Sequence, residues 1–146
     1  QEFLGELRET TQTDEQTLKL VPYAQDIDVR VDPSHLQQLM WNLCENALKY
    51  GKSNDSNEAI EIRTGRLALS ERPFLEVRDR GPGISSTDAE RLFEPFYSAA
   101  KRGTGLGLFI ARELAQCNRA LLLYEARPGG GSIFRVVFAD PQRWEG

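Results

Sequence analysis

Three short stretches of this sequence carry residue types suited to holding phosphates and a flat polar ring. In "MWNLCENALKY", Asn42, Asn46 and Lys49 stand at i, i+4 and i+7, within one narrow sector if the segment is helical. Two amides and an ammonium in line read either as a solvated face or as a polar ridge facing a ligand. Asn side chains compete for backbone hydrogen bonds, so two of them inside a helix cost stability without a local return. A carboxamide oxygen can coordinate a magnesium ion that phosphates already hold, where few protein ligands are needed.

The second stretch is "DRGPGI", Asp79 to Ile84, directly after the strand-like "FLEVR". Asp, Gly and Pro together make ordinary turn chemistry. They also suit a ring-binding loop, in which Asp79 accepts from an exocyclic amine while Gly81 and Gly83 let a flat ring approach the backbone. An ionised carboxylate accepts and cannot donate. It therefore favours the amine of adenine over the carbonyl that guanine carries there, and predicts ATP over GTP.

The third stretch, "KRGTGLGLFIAREL", places Gly103, Gly105 and Gly107 at alternate positions before an apolar, helix-like run. This is either a turn or an anion site, since a helix start offers unpaired N–H groups and the positive end of the dipole. It is not a Walker loop, because no GK[ST] ends it. Leu108 stands where the dinucleotide pattern GxGxxG needs its third glycine.

The elements that must position these residues are legible in outline. Asp32 is a fitting N-cap and Pro33 a fitting first position for a helix from about Pro33 to Tyr50, with Leu36, Leu39, Met40, Leu43 and Ala47 as its core stripe. "QEFLGELRE" reads as a short amphipathic helix through Phe3, Leu4 and Leu7. "TLKLVPY", "DVRVD", "AIEIRTGRLAL", "PFLEVRD", "ALLLYEA" and "SIFRVVFA" read as strands. "SSTDAERLF" reads as a helix with a Ser or Thr cap, "EPFYSAAKRGTG" as a mobile loop, and the third glycine-run helix extends to about Asn118. About three substantial helices and six or so strands, mostly in hairpin order, predict an α/β two-layer sandwich of mixed, mainly antiparallel sheet rather than a doubly wound parallel one.

Bulk properties set the limits. At 146 residues the chain has the size of one domain, residues 1–146. A net charge of −4 in mixed-sign clusters gives no basic face for nucleic acid. The longest strictly apolar run, "ALLLY", is too short for a membrane span or secretory signal. Cys44 and Cys117 have no CxxC partner, so neither zinc nor a disulfide framework is expected, and a reducing cytoplasm suits the chain.

An asparagine helix, DxGxG, "LFEPFY", "GTGLGL" and a glycine-rich turn before the last strand, in that order, resemble the catalytic ATP-binding domain of two-component sensor histidine kinases. "NLCENALKY" is similar to the N box, "DRGPG" to the first glycine box, "LFEPFY" to the F box, "GTGLGL" to the second glycine box and "GGGSIF" to a serine-bearing third. The pattern looks most like the nitrogen-regulation branch and its type IV pilus sensors.

The resemblance implies the Bergerat fold, shared with DNA gyrase, in which ATP lies between the asparagine helix and a lid. It implies that Asp79 holds adenine with Gly81, Gly83 and Ile84 beside it, and that Asn46 binds Mg²⁺. Asn42, Lys49 and Tyr50 would approach phosphates or sugar, and Gly103, Thr104, Gly105, Leu106, Gly107 and Leu108 would cradle the phosphates. Ser132 would support the adenine pocket through water. The lid would run from Glu94 to Arg102 with Phe96 at its start, and Lys101 or Arg102 would neutralise the γ-phosphate.

Gyrase-type relatives carry a Glu four residues before the key Asn as general base. Here that place is Asn42, and an amide cannot take a proton near neutral pH. Glu45 is one helical step from that sector. The implied reaction is phosphoryl transfer to a histidine of a dimerisation domain, then to an aspartate of a response regulator, within a homodimeric kinase anchored in the bacterial inner membrane. His35, the one histidine, reads as a plain exposed helix residue, so the chain is expected to be the catalytic domain without its phosphoacceptor. The rival readings are a nucleotide-binding module without chemistry and a gyrase-type ATPase.

Overall fold

A computed structural model describes residues 18–21, 29, 31–50, 60–95 and 106–139, with the side chains of residues 18–21, 49 and 50 left aside. The elements in chain order are β1 (Leu18–Val21), α1 (Pro33–Tyr50), β2 (Ile60–Arg66), β3 (Pro73–Arg78), α2 (Ser86–Ala89), α3 (Gly107–Cys117), β4 (Leu121–Ala126) and β5 (Ser132–Val137). The strands form one sheet in the order β1-β2-β3-β5-β4. The pair β1·β2 is parallel, joined through α1, and the other three pairs are antiparallel. This is the mixed, mainly antiparallel sheet with helices that the pattern predicts. The N-terminal helix through Phe3, Leu4 and Leu7 lies outside the described residues. So do Asp28 and Arg30 of "DVRVD", whose Val29 and Val31 pack against the core and are not in a strand.

Helix α1 begins where its cap chemistry places it. Asp32 Oδ1 accepts from the Ser34 N–H at 2.9 Å and from the Ser34 hydroxyl at 2.6 Å. Of the predicted stripe, Leu36 is half-buried and the rest is buried with Cys44 added: Leu39, Met40, Leu43, Cys44 and Ala47 are all 6% exposed or less. They pack on the sheet face formed by Ile60, Ile62, Val77, Phe134, Val136 and Leu122. Ala111 and Ala115 of α3 are equally buried, and small side chains there let α3 lie close beside α1. The far ends of the two helices are also clipped, because the Asp32 N–H donates to Asn118 Oδ1 at 2.8 Å.

His35 is not the plain surface residue expected. Its Nδ1 lies 3.1 Å from Asn118 Nδ2, so it takes part in the same clip. Helix α2 has the predicted serine cap, with Ser85 Oγ accepting from the Asp88 N–H, but it is a single turn and not the longer helix expected.

On the other sheet face a charged ladder lies beside the buried Ile133 and Val137. Glu76 is 1% exposed on β3; its Oε1 accepts from Arg78 Nε at 2.6 Å and its Oε2 from Arg135 Nε at 2.8 Å. Arg135 pairs in turn with Glu125 at 3.0 Å. Removing one member of a buried pair strands the other charge, so Glu76→Ala should cost about 3 kcal/mol of stability in urea unfolding.

The two cysteines differ more than their shared helical setting suggests. Cys44 is buried, and burial pushes its thiol up to about 12. Cys117 is exposed. A thiol reagent should therefore label Cys117 in the folded protein, and Cys44 only as the chain unfolds, which mass spectrometry of the labelled peptides would show.

Candidate nucleotide site

The predicted site residues fall into two groups. The first surrounds Asp79, where β3 ends and the chain leaves the sheet. Asp79 is 4% exposed. Its Oδ1 accepts from the Gly81 N–H at 3.0 Å and from the Ser132 N–H at 3.1 Å. Its main chain is held as firmly: the N–H donates to the Ser132 carbonyl at 2.9 Å, and the carbonyl accepts from Arg127 Nη1 at 3.1 Å. One carboxylate oxygen is thus pinned, while no described residue donates to the other. Burial raises the Asp79 carboxyl above the ordinary 3.8, opposed by its two N–H donors and the nearby Arg127 charge.

Each neighbour has a local reason to be where it is. Gly83 takes φ +78°, a conformation that side chains disfavour, and so turns the loop back toward Gly131. Ile84 packs half-buried on the core and anchors the loop's far end. Ser132 opens β5, and it is its backbone, rather than its hydroxyl, that fixes Asp79.

The second group joins α1 to the start of α3. Asn42 Nδ2 donates to the Gly107 carbonyl at 3.1 Å, and Asn42 Oδ1 accepts from Gln38 Nε2 at 2.8 Å. The asparagine face and the second glycine run therefore meet directly. Asn46, one turn on, is half-buried, and its side-chain amide makes no hydrogen bond among the described residues. Leu106 occupies the N-cap position of α3 without a side-chain cap bond, and Gly107 and Leu108 form its first turn. A helix start without a side-chain cap from its own N-cap residue suits an anion. Glu45 is turned away, accepting from Trp41 Nε1 at 2.9 Å.

Lys49 and Tyr50 close α1, their side chains outside the described residues. Phe96, Lys101, Arg102, Gly103, Thr104 and Gly105 also lie outside them. Among the described residues no group of three or more His, Cys, Asp or Glu could hold a metal, and no helix is long and apolar enough to cross a membrane.

Three residues of the Asp79 group escaped sequence reasoning. Arg80 Nη1 donates to the Pro128 and Gly130 carbonyls at 2.8 and 3.1 Å, tying the loop after β3 to the β4–β5 turn. Gly131, at φ +104°, lies so close that an added Cβ would overlap the Asp79 carbonyl. Arg127 is buried beneath them. The run of three glycines before Ser132 could have marked Gly131, whereas an arginine at a turn reads as solvent-facing.

Residues 31–142 match the model of the histidine kinase-, DNA gyrase B- and HSP90-like ATPases. The sensor protein kinase PilS of Pseudomonas aeruginosa is 39% identical over 142 residues, which are 97% of this chain and 26% of that protein. The chain thus spans about a quarter of that relative's length. Among solved structures, the nucleotide-free catalytic domain of the histidine kinase ThkA is similar with a TM-score of 0.76 at 23% identity, over 95% of this chain and 91% of that one. The histidine kinase domain of the E. coli osmosensor EnvZ gives 0.67 at 28% identity, over 99% and 88%. With its sheet, its asparagine helix and the buried Asp79 in place, the chain belongs to the family of histidine kinase-, DNA gyrase B- and HSP90-like ATPases, on its histidine kinase side.

Proposed function

We propose that this domain binds Mg²⁺-ATP and donates the γ-phosphoryl group to a histidine on the dimerisation domain of the same kinase, which then passes it to a response regulator aspartate. The parent kinase is, in this reading, a homodimer at the bacterial inner membrane. The observation that carries the proposal is the Asp79 carboxylate, with one oxygen held by two backbone N–H groups and the other left to accept from the adenine amine.

The remaining roles follow the two groups. Gly81, Gly83 and Ile84 line the ring, and Asn42, Leu106, Gly107 and Leu108 stand where α1 and α3 meet. Asn46, its amide uncommitted among the described residues, fits a Mg²⁺ ion held mainly by phosphates, which would supply charge neutralisation there. Lys49, Tyr50, Phe96, Lys101, Arg102, Gly103, Thr104, Gly105 and Ser132 keep the roles that the family pattern gives them.

Among the described residues on this face of α1, neither Asn42 nor Glu45 is placed to activate water. Asn42 is an amide bonded to Gln38 and Gly107, and Glu45 is bonded to Trp41. A neutral imidazole brings its own nucleophilic nitrogen, so the terminal P–O bond to ADP breaks as a P–N bond forms, and the resulting phosphoimidazolium releases its other N–H proton to water. Positioning and charge neutralisation then do the catalysis.

Calorimetric titration tests the binding half of the proposal. ATP should bind at least about tenfold tighter than GTP, the discrimination expected of a buried acceptor facing amine or carbonyl. Equal binding of the two would contradict it.

A further inference from the structure

Arg127 stands at the start of the glycine-rich turn between β4 and β5, a place where a charged side chain ordinarily faces water. Its side chain is only 7% exposed. Burying a guanidinium is costly unless its partners compensate, so those partners define its role. Nη1 donates to the Asp79 carbonyl at 3.1 Å, and Nη2 lies 3.8 Å from Glu61 Oε2 on β2. Its own N–H donates to the Gly131 carbonyl at 3.1 Å and its carbonyl accepts from the Gly130 N–H at 3.0 Å. One residue therefore closes the turn and reaches back to Asp79, which Ser132 at the end of the same turn also holds.

An acceptor for adenine must be ionised, and burial at Asp79 opposes ionisation. Among the described residues, the neighbouring charged groups are engaged as follows. Arg78, next on β3, is turned to Glu76 at 2.6 Å. Arg80 is directed to the Pro128 and Gly130 carbonyls. Glu61 stands behind Arg127 and is shared with Arg63 at 2.8 Å, and Glu45 on α1 is bonded to Trp41. Among the described residues, Arg127 is the cation whose charge favours the ionised Asp79.

We propose that Arg127 is a positioning residue for nucleotide recognition, fixing the Asp79 main chain and adding a positive charge that, together with the Gly81 and Ser132 N–H donors, favours its carboxylate as an acceptor, with Glu61 tempering that charge. The proposal rests on the reading that adenine binds at Asp79. It assigns to the glycine-rich turn an electrostatic task in addition to its close packing.

The test is ATP affinity by calorimetry from acid to mildly alkaline pH, in wild type, Arg127→Met, Arg127→Lys and Glu61→Gln, together with an NMR titration of the Asp79 carboxyl carbon. In Arg127→Met the pH midpoint for ATP binding should move up by about one unit, the shift expected on losing a nearby opposite charge, so that affinity on the acid limb falls about tenfold. Arg127→Lys should bring the midpoint back toward wild type, and Glu61→Gln should move it down. A merely structural arginine would lower affinity equally at every pH with the midpoint unchanged, and that result overturns the proposal.

If Arg127→Met fails to fold, Glu61→Gln still decides, because a midpoint that stays or rises there contradicts the assigned charge. If wild type binds no ATP, the nucleotide reading fails, while the Asp79 titration in Arg127→Lys and Glu61→Gln still tests the electrostatic link.

Discussion

Asp79→Asn should weaken ATP binding by about 1–3 kcal/mol while leaving the nucleotide-free fold as stable as wild type or more so. The asymmetry follows from the two oxygens. Oδ1 accepts from Gly81 and Ser132, and an amide oxygen in the same place can keep both bonds. The other position would become an NH₂ group that meets the adenine amine donor to donor. The fold, by contrast, loses a charge that burial disfavours. Because burial raises the folded-state pKa above the ordinary 3.8, ionised Asp79 costs the fold stability once the pH passes that raised value. The stability that this group contributes is fully present below 3.8 and is lost as pH rises through the folded value.

ATP binding has the opposite slope, since it needs the carboxylate and weakens as pH falls through the same value. Calorimetry for affinity and chemical denaturation for stability, each against pH, separate the two. A mutant that loses stability and affinity together would mean that Asp79 is a structural residue.

Gly131→Ala should be the most damaging of the glycine substitutions, costing about 2–4 kcal/mol of stability and most of the ATP affinity. At φ +104° any side chain is strained, and here the new Cβ would also collide with the Asp79 carbonyl and lie 2.9 Å from Arg80 Cα. Those atoms are backbone and cannot swing aside. The main-chain bonds between Asp79 and Ser132 would open, releasing the pinned carboxylate. Gly107→Ala is the control. Its Cβ would meet nothing within 4 Å, and it sits in a helix, where alanine gains up to about 1 kcal/mol over glycine. Thermal unfolding of the two variants should separate them widely, and equal melting temperatures would remove Gly131 from the account.

What could be read from the sequence was what local chemistry decides. The Asp32 cap and the Pro33 start fixed α1, and its three-four stripe named the buried face apart from Leu36, which is only half-buried, and Cys44, which joins it. Asp79 was legible because a carboxylate followed by alternating glycines at a strand end is a recognisable arrangement. What depended on distant partners was not legible. Glu76, alternating with apolar residues, reads as solvent-facing, yet it is buried by Arg135, 59 residues along the chain on β5. Arg127 and Gly131 matter because β3 and β5 lie side by side, and no local signal specifies that pairing. Asn42 was read as pointing at phosphate, and its bond to the Gly107 carbonyl depends on how α1 and α3 are packed.

The central claim is that the γ-phosphate of ATP leaves this domain for an imidazole and not for water. It is tested most directly by incubating γ-labelled ATP with a longer chain that joins this domain to a histidine-bearing dimerisation hairpin, and following the label into protein. An acid-labile, base-stable phosphohistidine should form, and it should disappear in the Asn46→Ala variant. Label appearing as inorganic phosphate with none on histidine, or identical labelling in Asn46→Ala, would contradict the claim.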